Sequence, residues 1–308
     1  MILAAHQPQY LPWLGYLHKI ASADVFLILD DIQYKKNEWQ NRNRIKSPKG
    51  WQWVTVPVTY RFPERIREVG INRGAPWRRK HREALGPSYA RTPHFDEVMA
   101  AVSFIWEDPR GWEWLWALNL RVIRAFLELG GIGTPLRLAS EFSLPEDPNR
   151  RLIEACRALE ADTYLAGAGG AGYMDQPAFE EARIEVRFQK FECPRYDQVL
   201  GEFIPNLSAI DYFFHCGPAA ARSLFAERQE SLTSWQSAPI RTISSSDAAG
   251  PCRATAARAT TSIFSFSPPA PRGATPRSAT PSRKRRPRSW RRRDCLSGIT
   301  KTPRSRSV

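Results

Sequence analysis

"MILAAHQPQYLPWLGYLHKIASADVFLILDD", residues 1–31, holds the fold in miniature. Its first five residues are an apolar run of strand character, residues 6–13 form a connector, a helix follows, and "DVFLIL", 24–29, is a second apolar run stopped by "DD". Neither run alternates with polar residues. A strand covered on one face alternates, whereas one covered on both faces reads as continuous hydrophobe. Two such strands with a helix between them predict an α/β domain whose largely parallel sheet is covered by helices.

The same alternation continues downstream. Residues 51–58, "WQWVTVPV", read as a strand, with Pro57 pointing to an edge position. A helix is predicted from Pro76 to about Gly86-Pro87, and another over 111–129 with Gly130 as its stop. After a short run at 136–139, Asp147 and Pro148 form the N-cap and first residue of a further helix. "TYLAG", 163–167, and "IEVRFQKF", 184–191, read as strands around a short helix from Gln176, and a last helix starts near Asn206 or Ser208.

Charge divides the chain. The 308 residues carry a formal net charge of +14, but residues 1–234 hold 29 Lys+Arg against 29 Asp+Glu, and residues 235–308 hold 16 against 2. The last 74 residues have one Leu and no Tyr, His or Glu. Such a segment cannot bury enough apolar surface to offset chain entropy, so a disordered basic Ser/Pro/Arg-rich tail is expected. An altered reading frame in G+C-rich DNA would give the same composition. The run "SRKRRPRSWRRR", 282–293, would attract a polyanion, and nucleic acid is expected as a partner only through this tail. The organisation expected is one domain over 1–234 followed by that tail.

Five cysteines form neither a CxxC pair nor an even framework, which fits free thiols in a reducing compartment. With no leader and no apolar span free of charge, a cytoplasmic protein with no membrane span is expected. Scattered histidines show no zinc pattern, and no Walker A lysine, GxSxG or HExxH is present.

Ligands of open parallel sheets bind beyond the carboxyl ends of the strands. Three connectors there carry chemistry. In the first, Pro8 and Pro12 stiffen a loop bearing His6 and Gln7, with Tyr10 and Trp13 as stacking rings and Lys19 in reach of a phosphate. The competing reading packs Tyr10 and Trp13 in the core. In the second, "DDIQYKKNEWQNRNRIK", 30–46, Asp30 or Asp31 can hold a ribose, an amine or Mg²⁺, and Arg42 and Arg44 a phosphate or carboxylate. Gln33, Asn41 and Asn43 add amide contacts. The third, "GAGGAG", 167–172, matches G-x-G-x-x-G after a strand, but the next helix starts too late for a dinucleotide site. Gly167, Gly169 and Tyr173 remain as contacts where backbone can approach a ligand.

These same loops carry a likeness. "HQPQYLPWLGYLHKIASADVFLILDDIQYKKNEWQNRNRIK", then "WQWVTVPV", "ADTYLAGAGGAGYM" and "PRYDQVLGEFIPNLSAIDYFFHCG", resemble the WbqC-like family over residues 2–228. The resemblance implies a part in bacterial O-antigen or other surface-polysaccharide synthesis, as a transferase acting on an activated or lipid-linked sugar, with glycyl or aminoacyl transfer suggested for similar proteins. The resemblance carries no catalytic residues with it; the loops themselves assign His6 as general base or phosphate ligand and Asp30 or Asp31 as the group holding an amine, hydroxyl or metal, with a nucleotide-sugar or other small molecule as substrate. The cofactor is left open, Mg²⁺ being one candidate, as is a homo-oligomer. The alternative enzyme reading is nucleotidyl or adenylyl transfer, for which a His-bearing loop opening a helix is suited.

Overall fold

The computed structural model describes residues 1–108, 111–172 and 174–236, with side chains described up to 226. Tyr173 and residues 237–308, which include the basic run, lie outside the described residues.

The chain begins with strand β1 (Ile2–His6), helix α1 (Leu14–Ala21) and strand β2 (Val25–Ile28). An antiparallel hairpin follows, β3 (Arg42–Ser47) with β4 (Gly50–Thr55), then a small pair, β5 (Val58–Thr59) with β6 (Gly70–Ile71). Helices α2 (Trp77–Tyr89), α3 (Phe95–Val102), α4 (Phe104–Glu107) and α5 (Leu115–Gly130) come next. The remainder is β7 (Leu136–Leu138), α6 (Pro148–Ala158), β8 (Thr163–Ala166), α7 (Gln176–Glu181), β9 (Glu185–Phe188) and α8 (Ala209–Gln236).

Five strands form one parallel sheet in the order β7-β2-β1-β8-β9, as the uninterrupted apolar runs required. The two-residue period of a strand divides its side chains between two cores. Ile2, Ala4, Phe26, Ile28 and Leu165 face one that includes residues of α1, α5 and α8. Leu3, Ala5, Val25, Leu27, Tyr164 and Ala166 face the other, closed by α6 and Phe179 of α7. The chain is thus α/β with a helix-covered parallel sheet.

Four local expectations need correction. The second half of the 30–46 connector is strand β3, because Asn43 and Ile45 point inward while Arg42 and Arg44 stay half-exposed. Helix α2 runs through Pro87 to Tyr89, with the Ser88 hydroxyl bonded to the Ala84 carbonyl in the turn around the proline. Helix α5 starts at Leu115 and not at 111, since Glu113 and Leu115 pair with Ile71 and Val69 in extended backbone. Its cap is Gly131, at φ 65, one residue beyond the expected stop. The Asp147–Pro148 start of α6 is as expected, with the carboxylate accepting from Arg150 N at 2.9 Å.

No helix among the described residues is long and apolar enough to cross a membrane.

Candidate functional site

A pocket of about 260 Å³ opens beyond the carboxyl ends of β1 and β8. Its walls come from both ends of the chain: His6, Gln7, Gln9, Trp13 and Lys19 from the first connector and α1, and Gly167, Gly169, Gln189 and Phe191 from the segments after β8 and β9. Glu38, Trp39 and Asn206 stand at the remaining side. Its position is where parallel sheets hold ligands, at the end of the central strand.

The first connector is rigid for reasons other than its prolines. The Asn43 amide donates to Leu11 O at 2.7 Å, and the Asn119 amide to Gln40 O at 2.7 Å and Pro8 O at 3.3 Å. Gln40 Nε2 donates to Gln7 Oε1 at 3.1 Å. Tyr10 N donates to Trp39 O, and Ala209 N to Pro12 O. Each satisfies a buried polar group that has no strand or helix to serve it. Because these amides hold the loop, its outward groups keep one geometry.

Within that frame His6 has a defined tautomer. Its Nδ1 lies 3.0 Å from Gln7 O. A carbonyl only accepts, so Nδ1 carries the proton and Nε2 holds the lone pair. Among the described residues Nε2 has no hydrogen-bond partner, and the ring packs edge-on to Tyr16 with centroids 5.3 Å apart. Burial, helped by the Lys19 charge and opposed by the Gln7 carbonyl, lowers the imidazole to about 4, so it is neutral at physiological pH.

Lys19 is 4 % exposed, and its Nζ donates to Ala5 O at 2.9 Å. No carboxylate among the described residues pairs with it. Desolvation lowers its ammonium to about 7, so free amine is abundant at neutral pH. Gln9, 3 % exposed, leaves Oε1 without a partner. Gln189 spans the mouth of α1, donating to Gly15 O at 2.8 Å and lying 2.9 Å from His18 Nδ1. Trp13 meets Phe191 edge-on at 5.5 Å, and its indole lies across Gly15 so closely that a Cβ there would fall 2.2 Å from a ring carbon.

A family model for the WbqC-like protein family matches residues 7–223. The chain belongs to that family. It is 36% identical over 221 residues to the "Uncharacterized protein Rv1507c" of Mycobacterium tuberculosis (strain ATCC 25618 / H37Rv), an alignment covering 71% of this chain and 95% of that protein. No solved structure matches it.

In this WbqC-like chain the pocket gathers six of the residues singled out from sequence: His6, Gln7, Trp13, Lys19, Gly167 and Gly169. Tyr173 falls outside the described residues, and the other described ones lie elsewhere. Tyr10 is fully buried and its hydroxyl bonds His81 Nδ1 at 3.0 Å, which is the competing core reading. Asp30 accepts from Ser140 N at 3.0 Å and Ser140 Oγ at 2.7 Å, fastening the end of β2 to the turn after β7. Asp31 forms an ion pair with Arg151 of α6. Neither carboxylate lines the pocket. Gln33 is exposed and bridges to Arg65. Asn41 donates to Val56 O at 2.9 Å, and Asn43 is spent on the first connector.

Arg42 and Arg44 lie half-exposed on strand β3 of the hairpin, and Arg44 reaches the pocket rim. Arg42 stacks on Trp53 at 4.3 Å, while Arg44 lies 5.2 Å from Trp51 and 5.7 Å from Trp39. Arg44 also donates to Asn206 O at 3.3 Å, so it touches two residues of the pocket rim. Neither guanidinium is paired with a carboxylate among the described residues. Among those residues no group of three or more His, Cys, Asp or Glu could hold a metal ion.

Sequence reasoning missed Gln9, Trp39, Gln189, Phe191 and Asn206. Gln9 lay within the quoted first connector and could have been found there as a third amide. Gln189 and Phe191 alternate at the end of a strand, a pattern that by itself signals only an edge.

Proposed function

We propose that this protein is a transferase that modifies an activated sugar for a surface polysaccharide, with His6 as the base. The observation carrying the reading is the neutral His6 with a fixed tautomer and an unoccupied Nε2 on the wall of a pocket. An acceptor hydroxyl or amine placed there loses its proton to Nε2 as its heteroatom attacks the activated carbon, and the diphosphate or other activating group departs with the bonding pair. An imidazole that is neutral at physiological pH and aimed by its own Nδ1 hydrogen bond has its Nε2 lone pair available for that proton.

Three further features support the reading. The pocket falls below the roughly 300–1,000 Å³ of sites that swallow a drug-sized ligand, so it suits one ring, with the rest of the substrate outside. Outside, on the Trp39 and Asn206 side, stands Arg44, with Arg42 two residues before it on the same strand, and guanidinium groups match phosphate oxygens. The family's association with polysaccharide synthesis, implied by the resemblance of its N-terminal motif, points the same way. Asp30 and Asp31 take no direct part in this scheme. They hold β2 to its neighbours, and no metal step is needed from them.

The test uses the full chain in thermal-shift assays with UDP-, CMP-, GDP- and dTDP-sugars, ATP and uronic acids, each with and without glycine and Mg²⁺. A nucleotide-sugar shift that is lost in Arg44→Ala, but retained in a His6→Gln protein that no longer transfers, is the expected pattern. A shift with ATP alone would replace the reading by nucleotidyl transfer, and no shift with any of these compounds would overturn it.

A further inference from the structure

Among the described residues, Lys19 is an amine without an anion. Every ion pair of the described residues is made by other groups, and the Lys19 amine meets the Ala5 carbonyl at 2.9 Å and the Tyr164 ring at 6.0 Å. Burying an ammonium without a counter-charge is costly, and the simplest relief would be an apolar residue in its place or an exposed tip that reaches water. Lys19 has neither. Its long side chain runs from the last turn of α1 to the end of the central strand, and it lines the pocket with His6 and Gln9.

We infer that Lys19 is a nucleophile which condenses with a hydroxylated aldehyde or ketone in this pocket to form an iminium. The Nζ lone pair attacks the carbonyl carbon, forming the C–N bond as the C=O π pair moves to oxygen. After proton transfers the oxygen leaves as water. Amine, carbonyl compound and one proton thus give iminium and water, with no oxidant or reductant. The His6 Nε2 lone pair, on the same wall, is the base that can carry the proton between nitrogen and oxygen.

Ala5 O fits the product as well as the reactant. The iminium keeps one N–H, and a carbonyl 2.9 Å from Nζ is placed to accept it and to face the positive charge. Desolvation of the amine, which keeps much of it unprotonated near neutral pH, is the usual means of activating such a lysine. The Gln9 Oε1, buried and unpaired, asks for a donor from the ligand. A hydroxyl group supplies one. Trp13, Phe191 and Met174 give apolar surface for the carbon face of the same molecule. Together these features select a small hydroxy-aldehyde or hydroxy-ketone, the chemistry of an open-chain sugar. The inference uses the pocket of the transfer reading but does not depend on that reading.

The experiment is reductive trapping on the full chain at pH 7.5, with glycolaldehyde and sodium cyanoborohydride, followed by peptide mapping. The exposed Lys36, Lys49 and Lys80 serve as internal references. Lys19 is expected to be alkylated on the order of ten-fold faster, once its larger free-amine fraction is set against the weaker nucleophilicity of a less basic amine. Lys19→Met, which keeps the length of the side chain without the amine, is expected to lose that fast phase alone. Labelling of Lys19 no faster than of the exposed lysines would overturn the inference. A nucleotide-sugar shift without trapping would leave the transfer reading standing and refute this one, and trapping without a shift would do the reverse.

Discussion

The anchoring of the first connector to α2 makes a sharp prediction about acid. His81 is 4 % exposed, and its Nε2 lies 3.1 Å from Thr55 O. That carbonyl only accepts, so Nε2 is protonated and Nδ1 accepts from the Tyr10 hydroxyl. A second proton would destroy this arrangement, and burial lowers the imidazole from 6.5 to about 4, against the raising effect of the Thr55 carbonyl. Between those two pH values the unfolded chain binds a proton that the folded chain does not. Stability is therefore full above pH 6.5 and falls as pH drops toward 4. Integrating the difference from pH 7.5 to pH 5 gives roughly 2 kcal/mol from this one residue. His81→Gln offers the same acceptor and donor without the titration. Urea unfolding followed by tryptophan fluorescence at pH 7.5, 6.5, 5.5 and 5 would give the stability gap between wild type and variant. Subtraction cancels the contributions of His6, Lys19 and the carboxylates. The gap should move by roughly 2 kcal/mol in favour of the variant as pH falls. A gap that stays constant would refute the tautomer and the burial argument together.

Other consequences are simpler to state. Gly15→Ala places a methyl 2.2 Å from the Trp13 ring and must swing it off the wall, so stability should fall by about 1–3 kcal/mol, and pocket ligands should lose their thermal shift while the near-ultraviolet dichroism of tryptophan changes. Asp30→Ala strips two hydrogen bonds from Ser140 and should cost about 2–4 kcal/mol in urea unfolding with ligand affinity unchanged; a fully stable variant that has lost activity would instead put this carboxylate in the chemistry. Asp211→Asn should cost a similar amount, about 2–4 kcal/mol, and open the 196–206 segment to faster amide exchange. That carboxylate accepts from Tyr89 at 2.7 Å, Tyr196 at 2.6 Å and Gln198 at 2.9 Å.

What could be read beforehand follows from the range of the interactions involved. The sheet was legible because Ile2–Ala5 and Val25–Leu29 must be apolar on both faces, a property written in consecutive residues. The Asp147–Pro148 helix start is equally local. Half of the pocket was legible for the same reason: His6, Gln7, Trp13 and Lys19 sit on one strand–loop–helix unit. The amides of 30–46 misled because Asn41 and Asn43 are spent on Val56 O and on the carbonyls of Tyr10 and Leu11, and nothing in the sequence names those partners. Asp30 and Asp31 illustrate the same point, since Ser140 and Arg151 lie more than a hundred residues away. The other half of the pocket, Gln189 and Phe191, arrives only through the pairing of β8 with β1 and of β9 with β8.

That pairing has a consequence for how the molecule comes into being. Ile2 of the central strand lies against Thr163, so the sheet is closed by a segment the ribosome delivers long after the first. At about 5–20 residues per second, β1 waits roughly 8–32 s with one apolar edge bare after it emerges. The hairpin of β3 and β4 and the helices up to α5 can form meanwhile, but the Lys19 amine cannot be enclosed until the chain has passed residue 191. Shortened nascent chains therefore expose a sticky edge without any working pocket.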